Sequence, residues 1–78
     1  MKAWETSYNG HKIRVENRVS GERLYVNGEL QDEQLGWAYR ERLWGRLPTG
    51  EEVKASIGGM WTAQCRIFVD NRLAFPER

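Results

Sequence analysis

Apolar and polar residues alternate along most of this chain with a period of two. Ile13 and Val15 alternate with Lys12, Arg14 and Glu16, and Leu24 and Val26 alternate with Arg23 and Tyr25. Val53, Ala55 and Ile57 alternate with Lys54 and Ser56, and Ala63, Cys65, Ile67 and Val69 alternate with Gln64, Arg66 and Phe68. A fifth run sets Trp37, Tyr39, Leu43 and Leu47 against Arg40, Arg42 and Arg46. Successive side chains on a strand point to opposite faces, so each run predicts a strand with one buried face and one wet face. A further strand is expected over residues 2–7, and short returning strands near 29–31 and 72–75.

Turn signals separate these runs: Asn9-Gly10, Ser20-Gly21, Asn27-Gly28, Pro48-Thr49-Gly50, Gly58-Gly59 and Asp70-Asn71. Asn-Gly is a strong hairpin signal because both central residues of a type I′ turn need positive φ. Short alternating runs between close turns predict an all-β fold. It is a small β-sandwich or partly open barrel of about six to eight short antiparallel strands. The stretch 32–47 carries two readings. Leu35, Tyr39 and Leu43 have helical spacing behind a capping Asp32, whereas the alternation from Trp37 onward is that of a strand. Gly36, which costs a helix about 1 kcal/mol, favours the strand. The expected core comprises Trp4, Ile13, Val15, Leu24, Val26, Trp37, Tyr39, Leu43, Val53, Ile57, Cys65, Ile67 and Val69.

The segment Arg23-Leu24-Tyr25-Val26-Asn27-Gly28-Glu29-Leu30 matches Arg66-Ile67-Phe68-Val69-Asp70-Asn71-Arg72-Leu73. Both read arginine, aliphatic, aromatic, valine, Asn or Asp, turn residue, charge, leucine. Each copy follows a strand that starts near a glycine, Gly10 or Gly50. The chain therefore reads as one domain, 1–78, with candidate repeats at 10–31 and 50–75 from an internal duplication. Two similar small sheets packed face to face would bury both copies. The Gly21-Glu22-Arg23-Leu24-Tyr25-Val26-Asn27-Gly28-Glu29 hairpin resembles the strand-turn core of the Fas apoptotic inhibitory molecule family. The resemblance covers about a quarter of the chain, implies a β-sandwich and carries over no functional residue. The overall pattern also looks like that of short bacterial β domains.

With 78 residues there is room for one core. A chain of this size buries only roughly 60–65% of its unfolded surface, so packing must be good. Four tryptophans, three tyrosines and two phenylalanines supply that packing. A single cysteine, Cys65, rules out an internal disulfide, and a single histidine, His11, rules out a Cys/His metal cluster. No cofactor is expected. No apolar run reaches the roughly 20 residues of a membrane span, and no secretory leader is evident in the sequence. An unpaired cysteine without an export signal suggests the cytoplasm.

The sequence offers little for catalysis, and we expect no enzyme. Cys65 alternates in phase with core residues, where a thiol is inert. Asp32-Glu33 and Glu51-Glu52 read as solvated pairs beside turns, because strand neighbours point to opposite faces. The leading functional expectation is a non-enzymatic protein-interaction module, self-associating or docking on another protein. Tyr25 and Phe68 occupy the same repeat position opposite the aliphatic face, so with Trp61 and Trp44 they are candidates for an interface patch. The alternative is a polyanion or single-stranded nucleic-acid face built from Arg40, Arg42, Trp44 and Arg46, which share one side of a strand. Lys12, Arg14 and Arg18 form a similar basic side on another strand. A net charge of +1 weighs against nucleic acid. Cross-strand acids such as Glu16, Glu51 or Glu52 are expected to neutralise these arginines.

Overall fold

The computed structural model describes residues 1–36, 41–59 and 62–76, Glu41 by its backbone alone. These residues form eight strands: β1 (Lys2–Tyr8), β2 (His11–Arg18), β3 (Gly21–Val26), β4 (Glu29–Leu35), β5 (Glu41–Arg46), β6 (Glu52–Gly58), β7 (Gln64–Val69) and β8 (Arg72–Phe75). All pairings are antiparallel, and consecutive strands make two four-stranded sheets, β1-β2-β3-β4 and β5-β6-β7-β8. The fold is all-β and does not close into a barrel. The helical alternative for 32–47 fails at both ends, because β4 runs through Leu35 and β5 begins at Glu41. Trp37, Tyr39 and Arg40 lie outside the described residues. The return expected at 29–31 is longer than its alternation suggested, because a bulge breaks the period of two inside it.

The inward faces of both sheets share one core. Ile13, Val15, Leu24, Leu43, Val53, Ala55, Ile67 and Val69 are essentially inaccessible, with Val26, Leu47, Ile57 and Cys65 beside them. Trp4, expected in the core, packs only against its margin and is half-buried. Leu47 and Ala55 belong to the core although they were not among its expected members. Among the described residues no helix is long and apolar enough to cross a membrane.

The turns follow their chemistry. Asn9 and Gly10 (φ 49° and 80°), Asn27 and Gly28 (51° and 84°), and Asp70 and Asn71 (48° and 67°) all have positive φ. These are two-residue hairpin loops of the primed type, whose twist matches that of the flanking strands. Gly21 has a different reason to be glycine. With φ at 147°, a Cβ there would stand 2.1 Å from the Gln34 carbonyl oxygen across the ladder.

The two sheets share more than strand order. In the first, Leu24 faces Asp32 but Tyr25 faces Leu30, leaving Gln31 as the extra residue of a bulge. In the second, Ile67 faces Phe75 but Phe68 faces Leu73, leaving Ala74 extra at the corresponding place. Asn27 closes its hairpin by accepting the Lys12 amide on Oδ1 at 3.0 Å, and its own amide donates to the Lys12 carbonyl at 2.8 Å. Asp70 does the same with Glu52, at 2.9 Å in both directions. Residue by residue, β2 therefore corresponds to β6, β3 to β7 and β4 to β8.

The sheets meet at two dissimilar corners. At the β4/β5 corner the bulge turns Gln31 toward β5, and its Oε1 accepts the Arg46 amide at 3.2 Å. Asp32 Oδ2 accepts the Trp44 amide at 2.9 Å. These side chains occupy an edge that would otherwise offer free donors to another strand. Gly45 permits the approach, since a Cβ there would lie 3.0 Å from the Gln31 Cβ. Asp32, a capping candidate in the helical reading, thus caps a strand edge instead. At the β1/β8 corner the sheets part around an open cleft of about 700 Å³.

Candidate functional site: the outer face of the second sheet

Cross-strand register defines each outer face. On the first sheet one row reads Glu5, Arg14, Tyr25, Leu30 and the next reads Ala3, Glu16, Arg23, Glu33. On the second sheet the corresponding rows are Trp44, Lys54, Phe68, Leu73 and then Arg42, Ser56, Arg66. The positions match and the charges do not.

On the first face every arginine meets a carboxylate. Arg14 reaches Glu5 at 2.9 Å and Glu16 at 2.9 Å, Arg18 reaches Glu16 at 2.7 Å, and Arg23 reaches Glu33 at 2.6 Å. Burial acts to raise the Glu16 carboxyl. Hydrogen bonds from Arg18 and Arg14 outweigh it and hold the group below its ordinary pKa. Glu16 was expected as a cross-strand partner; it serves arginines two residues away on its own strand. Asp32 and Glu33 are not a solvated pair beside a turn. They lie within β4, one capping β5 and the other pairing Arg23.

The second face is cationic. Arg42 and Arg66 have no ion-pair or hydrogen-bond partner among the described residues. Both are exposed. Arg46 donates from Nη1 to the Gly50 carbonyl at 2.9 Å and meets no acid. Lys54 lies 4.7 Å from the centre of the Trp44 ring, donates to Asn71 Oδ1 at 3.0 Å and stands 3.8 Å from Glu52. Among the described residues four cations on this face meet one carboxylate, Glu52. Glu51, the other acid expected to neutralise it, accepts a hydrogen bond from Thr49 instead. Trp44 and Leu73 are each 46% exposed, with the half-buried Phe68 between Lys54 and Leu73.

Of the residues singled out from sequence, Arg42, Trp44 and Arg46 do share one exposed face. Arg40 and Trp61 lie outside the described residues. Tyr25 and Phe68 are not brought together: each points outward from its own sheet, on opposite sides of the sandwich. Tyr25 is held beside Arg23, whose Nη1 donates to its hydroxyl at 3.5 Å. Lys54, Ser56, Arg66 and Phe68 were missed as members of the basic face. They lie on β6 and β7, and only the strand register brings them beside Arg42 and Trp44.

Two other places carry less chemistry. The cleft at the β1/β8 corner is lined by Lys2, Trp4, Phe75 and Cys65 among others. Lys2 Nζ donates to the Ala63 carbonyl at 3.1 Å and lies 5.6 Å from the Trp4 ring centre. Burial pushes the Cys65 thiol up to about 12, so it carries no thiolate at neutral pH. His11 Nδ1 contacts Asn27 Nδ2 at 3.1 Å, which makes it part of a hairpin. Among the described residues no cluster of three His, Cys, Asp or Glu side chains is placed to hold a metal ion. No family model matches this chain, and no curated protein and no solved structure does either.

Proposed function

We propose that this chain is a non-enzymatic interaction module, and that it holds an anionic partner on the outer face of its second sheet. One observation carries the reading. Arg66 occupies the position of Arg23, yet Arg23 has Glu33 and Arg66 meets no acid among the described residues. Guanidinium groups without a partner among the described residues, beside the exposed Trp44 and the half-buried Phe68, can take carboxylate or phosphate oxygens bidentately. Self-association through this face is disfavoured, because two copies laid face to face would oppose like charges. An internal duplication, with the acids of Glu5, Glu16 and Glu33 kept in one copy and replaced in the other, would account for the matched registers. The lone buried thiol suits a reducing compartment, so we assign the cytoplasm on that ground.

Retention on a heparin column tests the reading. The wild type should bind and elute with salt. Arg42→Glu combined with Arg66→Glu should abolish retention, whereas a Lys12→Glu, Arg18→Glu pair, the same charge change on the other face, should leave most of it. Equal loss from both pairs would show that net charge alone is responsible and would overturn the assignment.

A further inference from the structure

We infer that the anion is a single strand of nucleic acid, crossing the strands of the second sheet with bases on Trp44 and Phe68 and phosphates on Arg42, Lys54 and Arg66. The inference rests on the reading above and names the partner class for the same face. Three features select it.

The first is the order of groups. Along one cross-strand row the face reads aromatic, cation, aromatic: Trp44, Lys54, Phe68. Adjacent strands lie about 4.8 Å apart, so the two rings stand about 10 Å apart with the ammonium between them. A single strand offers the same alternation, π-faces joined by phosphates. An acidic peptide offers carboxylates but no repeating π-surface to match the two rings.

The second is the neighbouring row, Arg42, Ser56, Arg66, two residues further along each strand and so about 7 Å away. It presents two guanidinium groups with a hydroxyl donor between them. Phosphate contacts of this kind fix position and carry no sequence information.

The third is shape. The face is an open sheet with no helix or ribbon among the described residues to enter a duplex groove. Stacking on exposed rings needs bases that are not already paired and stacked. Ser56 and Arg66 border the cleft at the β1/β8 corner, but the two rings and Lys54 do not line it; the bases would stack on open rings, so binding should tolerate sequence.

The experiment compares three probes by fluorescence anisotropy at low salt: a labelled ten-residue oligothymidylate, polyglutamate of the same charge, and a DNA duplex of the same length. The oligothymidylate should bind best. With up to four cations engaged, the slope of log affinity against log salt should be about −2 to −3. Trp44→Ala should weaken oligothymidylate binding by roughly 5- to 150-fold, the usual worth of one stacked base, and should leave polyglutamate binding unchanged. Arg42→Ala with Arg66→Ala should flatten the salt slope by about 1.4. Phe68→Leu, which keeps an apolar side chain there, should weaken only the oligothymidylate if Trp44→Ala disturbs folding. Equal binding of polyglutamate and oligothymidylate, or a Trp44→Ala variant that binds both as before, would overturn the inference while leaving the anionic reading intact. Failure of all three probes to bind at low salt would overturn both.

Discussion

The two outer faces share strand order, register, a bulge and an arginine in the same place, yet on one every arginine meets a carboxylate and on the other, among the described residues, none does. Four positions make most of the difference. Ala3 corresponds to Arg42, Glu5 to Trp44, Glu16 to Ser56, and Glu33 to Pro76 just past the end of β8. Exposed ion pairs are worth only about 0–1 kcal/mol each, so a sheet can lose them without unfolding. What changes is the availability of the arginines. The second sheet presents Arg42 and Arg66 without an acid among the described residues, on strands whose counterparts in the first sheet carry acids beside their arginines.

Core substitutions at matched positions test the equivalence most severely. Leu24→Ala and Ile67→Ala each empty a fully buried site and should each cost about 2–5 kcal/mol in chemical denaturation. A domain of this length holds only about 4–12 kcal/mol in total, so either variant should be partly unfolded by heat well before the wild type. Costs within about 1 kcal/mol of each other would support equivalence, and a large disparity would break it.

Next in size is the corner. Asp32→Ala leaves the Trp44 amide without its acceptor and should cost about 1–2 kcal/mol. Phe75 holds the matching position on β8 and caps no strand edge, so its contribution is packing alone.

Glu16→Gln should cost about 1 kcal/mol at neutral pH. Because the folded pKa is lowered, that contribution is present above the ordinary carboxyl value of 4.5 and is lost as pH falls through it toward the folded value. Stability curves of wild type and variant against pH should therefore converge in acid. Ser56→Gln, at the matching site, should show no such pH-dependent gap. The smallest stability effect is expected from Ser56→Glu, within about 0.5 kcal/mol. That change nevertheless supplies the missing acid, and retention on heparin should fall sharply. Unaltered retention would mean that Arg42 and Arg66 are not the contacts.

Much of the architecture is legible in the sequence because its determinants are local. The alternation marks the strands, and positive φ at Asn9-Gly10 and Asn27-Gly28 marks the hairpins. The match of 23–30 to 66–73 marks the two sheets that share a register. What is not legible depends on register across strands. Alternation puts Arg42 and Arg66 on exposed faces, but nothing local says that Ser56 is the residue between them or that Glu16 serves its own strand. The bulges are equally silent, because an extra residue such as Gln31 looks like one more polar residue in a run of them. Tyr25 and Phe68 show the limit of repeat logic. Equivalence in a duplicated pattern puts residues in like environments, and in a sandwich like environments are on opposite sides.

Every ladder among the described residues joins strands that are consecutive along the chain. Each hairpin therefore closes a short loop, and no pairing waits for a distant segment to arrive. The entropy cost of bringing partners together stays low, and folding speed tracks that cost. Refolding should consequently be fast for an all-β protein, in the range of mixed α/β domains rather than that of Greek-key sandwiches. Each half is positioned to form its own meander before the two apolar faces meet.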